Sequence, residues 1–330
     1  MTLDGSQELE RYRIGVTGAG GFVGLALCSR LASRGIAVVG LEADPRRAAA
    51  VRGAGAEPRN LDITDAHATT RGLSDCDLVV HTAALVSDTG AMSDFISVNV
   101  RGTRNVLDAA EQAGARRVVH VSSVAVWGYE FRSELDAAAS PRHCGAPYID
   151  TKGASDQMAL RAGAVVVRPG DVYGPGSVPW ALRPLQALRG RRLFVPRDGG
   201  GWITPVYIED LVDCLVLALS HPDAVGAFTV WDGHAVRASE FFGFYARMLG
   251  RSRVPSLPLA LLRAGAAAQE LGAHMRGTAP VVTRQALTYV SRRALFPNER
   301  ARRVLGWRAQ TSLAQGMDNT EHWFRAQKLL

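Results

Sequence analysis

Lysine is almost absent from this chain. Of 38 basic residues only Lys152 and Lys328 are lysine, so the formal charge of +7 is carried by arginine. The arginine pairs at 46–47, 116–117, 191–192, 292–293 and 302–303 are scattered along the sequence. They do not form one stripe interleaved with aromatics, which argues against a nucleic-acid groove and for solvated faces or a small anionic ligand. Cysteine is scarce as well: Cys28, Cys76, Cys144 and Cys214 form no C-x-x-C pair, which excludes a disulfide framework and a zinc site. The eight histidines show no ligand spacing, and no metal is expected. No apolar run approaches the ~18 residues of a membrane span. The first ten residues are polar and acidic, unlike a signal peptide, so residues 1–10 are expected to be a flexible tail and the cytoplasm the location. What is present is 330 residues, 47% hydrophobic and 21% charged, the balance of a globular protein with about two lobes.

The apolar pattern alternates between strand and helix. Residues 13–17 and 37–42 read as strands flanking a helix over residues 22–34, which makes one βαβ unit. Residues 78–81, 117–121 and 164–168 read as further buried strands, with helices over 94–113 and 148–162. Residues 205–208 and the helix that follows suggest a return to the sheet, and 227–230 a last strand. This predicts an α/β fold, a Rossmann-type doubly wound parallel sheet with a smaller, mainly helical C-terminal substrate lobe. The expected boundaries are 11–174 for the dinucleotide-binding domain, with 203–232 returning to it, and 175–202 plus 233–330 for the substrate lobe.

Between the first strand and helix lie Gly18, Gly21 and Gly24. A tight turn there lets the backbone approach a pyrophosphate, and the helix N-terminus offers free N–H groups and a positive dipole end. Gly18, Gly21, Phe22, Val23 and Gly24 are therefore candidate cofactor contacts. Glu42 ends the second strand, where a carboxylate can accept hydrogen bonds from the adenosine ribose diol; Asp44 is its rival for that role. Such a carboxylate favours NAD(H) and makes NADP(H) the weaker ligand, although Arg46 and Arg47 stand nearby as potential phosphate ligands.

Tyr148 and Lys152 are spaced i, i+4 and share one helix face. An ammonium beside a phenol favours phenolate and tunes it toward proton transfer near neutrality. Ser123 ends the strand at residues 117–121, which aims its hydroxyl at the same sheet edge to hold a substrate oxygen.

Taken together, these residues resemble the extended short-chain dehydrogenase/reductases of the NAD-dependent epimerase/dehydratase superfamily. Its T-G-x-x-G-x-x-G is Thr17-Gly-Ala-Gly-Gly-Phe-Val-Gly24, its D-x-x-D is Asp62-Ile-Thr-Asp65, and its H-x-A-A is His81-Thr-Ala-Ala84. Asn99 matches the N-x-x-G-T helix, Ser122-Ser-Val-Ala-Val-Trp-Gly128 the S-S-x-x-V-Y-G element, and Arg168-Pro-Gly-Asp-Val-Tyr-Gly-Pro175 the stretch that closes over nicotinamide. The resemblance implies that Ser123, Tyr148 and Lys152 are catalytic. It also implies that Asp62, Ile63, Ala83, Ala84, Asn99, Tyr148, Lys152, Pro169 and Val172 join the glycine turn and Glu42 in holding the cofactor.

Asp171 and Ile203 stand where sugar-nucleotide enzymes of the superfamily carry Asn and Arg, and an aspartate facing a diphosphate would be unfavourable. The match is closer to the hydroxysteroid-dehydrogenase and dihydroflavonol-reductase branch, whose substrates are alcohols or ketones on apolar skeletons. Val86, Ser123, Trp127 and Trp180 are the expected substrate contacts, and the apolar residues at 257–271 with Phe241, Phe242 and Phe244 would line a pocket or fill a helical core. The arginines at 183–197 form a basic stretch by the expected substrate mouth, read as surface charge or a phosphate or carboxylate holder. The expected activity is NAD(H)-dependent interconversion of a secondary alcohol and a ketone. The alternatives are a sugar-nucleotide epimerase or dehydratase with tightly bound NAD, and a non-catalytic dinucleotide sensor. The expected partner is a small-molecule substrate, with no nucleic acid and no membrane span; a homodimer is left open.

Overall fold

Strand and helix alternate along the first half of the chain. In order they are β1 (Arg13–Thr17), α1 (Phe22–Ala32), β2 (Ala37–Glu42), α2 (Ala48–Gly53), β3 (Glu57–Asn60), α3 (Ala66–Leu73), β4 (Leu78–His81), α4 (Met92–Phe95), α5 (Thr103–Gln112), β5 (Arg117–Val121), α6 (Pro147–Arg161), β6 (Val165–Pro169) and β7 (Asp171–Tyr173). There follow α7 (Arg183–Arg189), β8 (Val195–Pro196), β9 (Trp202–Ile203), β10 (Pro205–Tyr207), α8 (Ile208–Ser220), β11 (Ala227–Val230), β12 (Val236–Arg237), α9 (Ala238–Met248), β13 (Ser256–Leu257), α10 (Leu259–Arg276), α11 (Arg284–Val290), α12 (Glu299–Val304) and α13 (Leu313–Ala326). The structure is a computed structural model and describes residues 9–87, 89–129, 135, 139–278, 283–293 and 295–330.

Seven strands form one sheet in the order β11-β6-β5-β4-β1-β2-β3, every neighbouring pair parallel. Strand order reverses between β1 and β4, and the crevice at the carboxyl ends of these strands is where such a sheet binds ligands. β4 and β6 are buried along their whole length because helices cover both faces. Successive residues of β2 feed the two cores: Val38 packs with Leu27, Leu31 and Leu211 on one side, Val39 and Leu41 with Val79 and Val106 on the other.

Several expectations are corrected. Residues 1–8 lie outside the described residues, but the expected tail already ends by Leu9, which is buried in a 3-10 turn (Leu9–Arg11). β3, Glu-Pro-Arg-Asn, has no apolar pattern to read; as an outermost strand it pairs with β2 alone and tolerates Pro58. β10 pairs with β7 in a separate two-stranded sheet, and only β11 extends the main one. The helix expected over 94–113 contains a π-helical stretch, Ile96–Gly102, which carries Asn99. α10 is not a core helix: most of its residues are exposed, and Ala266 and Ala273 are its buried ones.

Candidate active site

The glycine turn is shaped by close approach. Gly18 has φ +66°, and a Cβ there would come within 2.7 Å of Ala83 Cα, so His81-Thr-Ala-Ala84 lies directly against the turn. A Cβ on Gly24 would overlap the Gly18 carbonyl, so glycine is needed for helix and turn to pack. Gly21 caps α1 without a side chain, which leaves the first-turn N–H groups around Phe22 and Val23 uncapped and facing the crevice where a pyrophosphate would lie. Residues and geometry therefore fit a dinucleotide.

Glu42 ends β2 with its carboxylate held in place. Oε2 accepts from the Gly20 N–H at 2.9 Å and Oε1 from the Asp44 N–H at 3.0 Å. Asp44, the rival acid, is engaged with Arg46 through two side-chain bonds of 2.8 Å, and that pairing holds its carboxyl at a pKa of about 2. The Arg46 guanidinium is thus paired with Asp44, whereas Arg47 donates to the Gly20 carbonyl at 3.5 Å. Asp62 is exposed and Ile63 buried at the end of the crevice, where Asn105 donates to the Ile63 carbonyl at 2.8 Å.

Tyr148 and Lys152 lie in the first turns of α6, and Ser123 follows β5. The Ser123 Oγ accepts from the Ala125 N–H at 3.1 Å, which fixes its rotamer at the start of a 3-10 turn (Val124–Trp127). Lys152 is buried, and its Nζ donates to the Val121 carbonyl at 2.8 Å, two residues before Ser123. Burial pushes the Lys152 pKa down to about 8, against the opposing pull of Asp156.

Asp156 was not singled out in the sequence, yet it ties this site together. One turn beyond Lys152, it takes two bonds from Arg168 of β6, at 2.8 and 2.7 Å, and one from Ser122 at 2.6 Å. The buried carboxylate therefore clamps α6, which carries Tyr148 and Lys152, to Arg168 of β6 and to Ser122, the residue before Ser123. A buried acid one turn past the Y-x-x-x-K pair was the signal available.

Asn99, a candidate cofactor contact, bonds to the protein through both ends of its amide. It is buried, its Oδ1 accepts from the Leu85 N–H at 2.7 Å, and its amide donates to the Leu85 carbonyl and Thr151 Oγ1 at 3.1 Å each. It fixes the loop after β4 to the residue before Lys152. Behind it, His81 bridges Thr17 and Thr103 at 2.7 and 3.0 Å, and His120 lies beside it with ring centroids 5.1 Å apart. Neither ring nitrogen of His120 has a partner among the described residues. Burial, reinforced by Lys152, lowers both pKa values, that of His81 to about 3.

At the end of β6, Pro169 and Val172 flank Asp171, whose environment overturns one expectation. Asp171 does not face an open diphosphate site. It is fully buried, takes bonds from Arg292 Nη2 at 2.6 Å and the Thr204 N–H at 2.8 Å, and accepts the Tyr289 hydroxyl. Its charge is met by Arg292, so repulsion of a diphosphate is not its effect. Ile203, which precedes Thr204 in the chain, is buried and belongs to the core.

The expected substrate contacts separate. Trp127 is fully buried, covered by Arg168 at 4.8 Å and stacked on Phe296, with Nε1 donating to the Ala139 carbonyl; it is a core residue with no surface for a substrate. Trp180 is half-buried and packs on Tyr289 and Phe242. Tyr289 in turn meets Tyr129 edge-on at 4.4 Å. Val86 is exposed, and Phe241 and Phe242 are buried in the core.

The chain is similar to known proteins along most of its length. The chain is 29% identical over 318 residues to a 4-hydroxy-2-methyl-3-oxo-4-farnesyl-3,4-dihydroquinoline-1-oxide ketoreductase of Stigmatella aurantiaca, covering 92% of this chain and 94% of that protein. It is also 29% identical over 336 residues to a UDP-glucose 4-epimerase of Mycolicibacterium smegmatis, covering 94% and 97%. Among solved structures, MoeE5 in complex with UDP-glucose and NAD superposes with a TM-score of 0.75 at 25% identity, over 96% of this chain and 99% of that one. Residues 14–232 match the model of the NAD dependent epimerase/dehydratase family. That span runs from the first strand through every catalytic candidate, and the chain belongs to this family of enzymes acting on CH–OH groups.

Proposed function

We propose that the protein interconverts a secondary alcohol and a ketone on a largely apolar small molecule, of steroid, terpenoid or polyketide type, with NAD(H) as the preferred cofactor. The observation that carries the substrate class is the wall formed by Tyr129, Tyr289 and Trp180, with Tyr289 bonded to Asp171 and Arg292 closing the pair from behind. Tyr129 lies six residues beyond Ser123 in the chain, and Asp171, which accepts from Tyr289, two beyond Pro169. The Arg292 charge is met by a buried carboxylate and is withheld from a ligand phosphate. The farnesylated substrate in the name of the Stigmatella relative supports the same reading.

In the oxidative direction Tyr148, as phenolate, takes the proton of the substrate hydroxyl while the Ser123 hydroxyl donates to the same oxygen. Lys152 favours the phenolate through its charge, and Asp156 holds the helix that carries both. The nicotinamide supplies the hydride acceptor when bound. Reduction returns the proton from Tyr148 to the new alkoxide.

The test is a panel of steroid, terpenoid and polyketide ketones assayed by NADH absorbance, with Tyr148→Phe as control. Turnover of an apolar ketone is expected, with kcat in the variant lower by about 10²–10⁴ and NADH binding retained. The second reading, sugar-nucleotide epimerisation, is favoured by the UDP-glucose 4-epimerase relative. Saturable UDP-glucose binding by calorimetry, with no ketone turned over, would replace the first reading by the second.

A further inference from the structure

We infer that the outward face of α10, together with the arginines at 183–197, docks on an anionic lipid surface. Leu261, Ala264, Ala268, Leu271 and Met275 recur at i, i+3, i+7, i+10 and i+14, which places them on one stripe of the helix. All five are exposed, with Leu261, Leu271 and Met275 at 59%, 63% and 78%. The helix meets the protein through its other side, with Ala266 and Ala273 buried and α11 packed against it. An apolar stripe turned away from the body is the pattern of a helix lying in a membrane interface.

Charge identifies the occupant. The parallel pairing of β8 with β13 holds the segment after α7 beside the lead-in to α10, and Arg251 donates to the Leu188 carbonyl across the same junction. Residues 183–197 contain five arginines and no acid, and residues 251–268 three arginines and no acid. Arg189, Arg191, Arg192 and Arg197 are exposed, as is Phe194 among them. The first acid on α10, Glu270, is taken by Arg284 through bonds of 2.7 and 2.6 Å. A cationic rim around an apolar stripe matches a bilayer whose headgroups are negative. A second copy fits less well. It would set one cationic surface, with three arginines and no acid over residues 251–268, against an identical one, and like charges oppose that contact.

The surface also has a geometric tie to the site. α11, on which α10 packs, carries Tyr289 of the aromatic wall. Docking through α10 would therefore bring the wall close to the lipid, although the inference stands on the helix and its charges and not on the substrate.

The experiment is flotation of the full chain with phosphatidylcholine vesicles, with and without phosphatidylglycerol, at low and high salt. Binding is expected only to the vesicles that contain phosphatidylglycerol, and it should fall with salt as headgroup attraction is screened. Leu271→Glu with Met275→Glu, and separately Arg191→Glu with Arg192→Glu, should each weaken partition by about tenfold or more. Because all four side chains are exposed, both variants should keep the wild-type melting temperature and NADH affinity. Absence of binding, equal binding to both vesicle types, or unchanged partition in the variants would overturn the inference. So would a concentration-dependent dimer that Leu271→Glu with Met275→Glu dissociates, since the stripe would then be covered by a second copy.

Discussion

Two residues show what a single side chain decides here. Glu42 is held by the Gly20 and Asp44 N–H groups with oxygen lone pairs to spare, so it can accept the ribose diol through charge-assisted bonds. A 2′-phosphate would meet that carboxylate, and the preference for NAD(H) over NADP(H) in kcat/KM is expected to be at least about tenfold, or about 1.4 kcal/mol. Glu42→Ala with Ala43→Arg should narrow or reverse the ratio; an unchanged ratio would remove Glu42 from this role. Lys152 trades stability for function. Its folded pKa of about 8 lies below the ordinary 10.5, so the unfolded chain binds more protons between these values. Wild-type stability should therefore rise from about pH 8 to 10.5. Lys152→Met should raise the neutral-pH melting temperature, by about 1–3 kcal/mol in stability, while abolishing turnover. That gain should vanish by pH 10.5. Both residues are legible in the sequence, because a strand end and an i, i+4 spacing are local facts.

At the scale of elements, β4 and β5 carry an acid sensitivity that no spacing announces. His81 and His120 are neighbours across parallel strands, both buried and both depressed in pKa. The unfolded chain protonates near pH 6.5 and the folded one well below it, so stability is complete above about 6.5 and falls as pH drops toward 3. His120→Leu removes a buried ring whose nitrogens have no partner among the described residues. The variant should be at least as stable as wild type at pH 7. It should lose about 1.4 kcal/mol less per pH unit on the acid side, as read from urea midpoints at pH 5 and 6. If its midpoints fall in parallel with wild type, His120 is not one of the protonating groups. The apolar runs made the strands legible, but β3 escaped because an outermost polar strand needs no apolar face. α10 misled because an alanine-rich helix reads as core whether or not anything covers it.

At the scale of the whole molecule, the Asp171–Arg292 pair joins β7 to the residues after α11 across 121 residues of sequence. Asp171→Ala leaves a buried guanidinium without its counter-charge and should cost about 3–5 kcal/mol. Adding Arg292→Met should recover most of that loss, because a buried pair replaced by apolar groups is often near neutral. If the single variant melts like wild type, the pair does not hold these two segments together. Tyr289 should also lose its fixed position in the single variant, raising KM for an apolar ketone more than it lowers kcat.

The sequence by itself determined the alternating strands and helices of the sheet, the glycine turn between β1 and α1 and the shared helix of Tyr148 and Lys152. Each of these is written in spacings of a few residues, where backbone period and helix pitch dictate which side chains meet. Tertiary structure decided everything that depends on distant partners. Asp171 read as a naked charge until Arg292 was beside it, and Trp127 as a substrate contact until Arg168 and Phe296 covered it. A residue type states what bonds a side chain can make, and only packing states which partner is within reach.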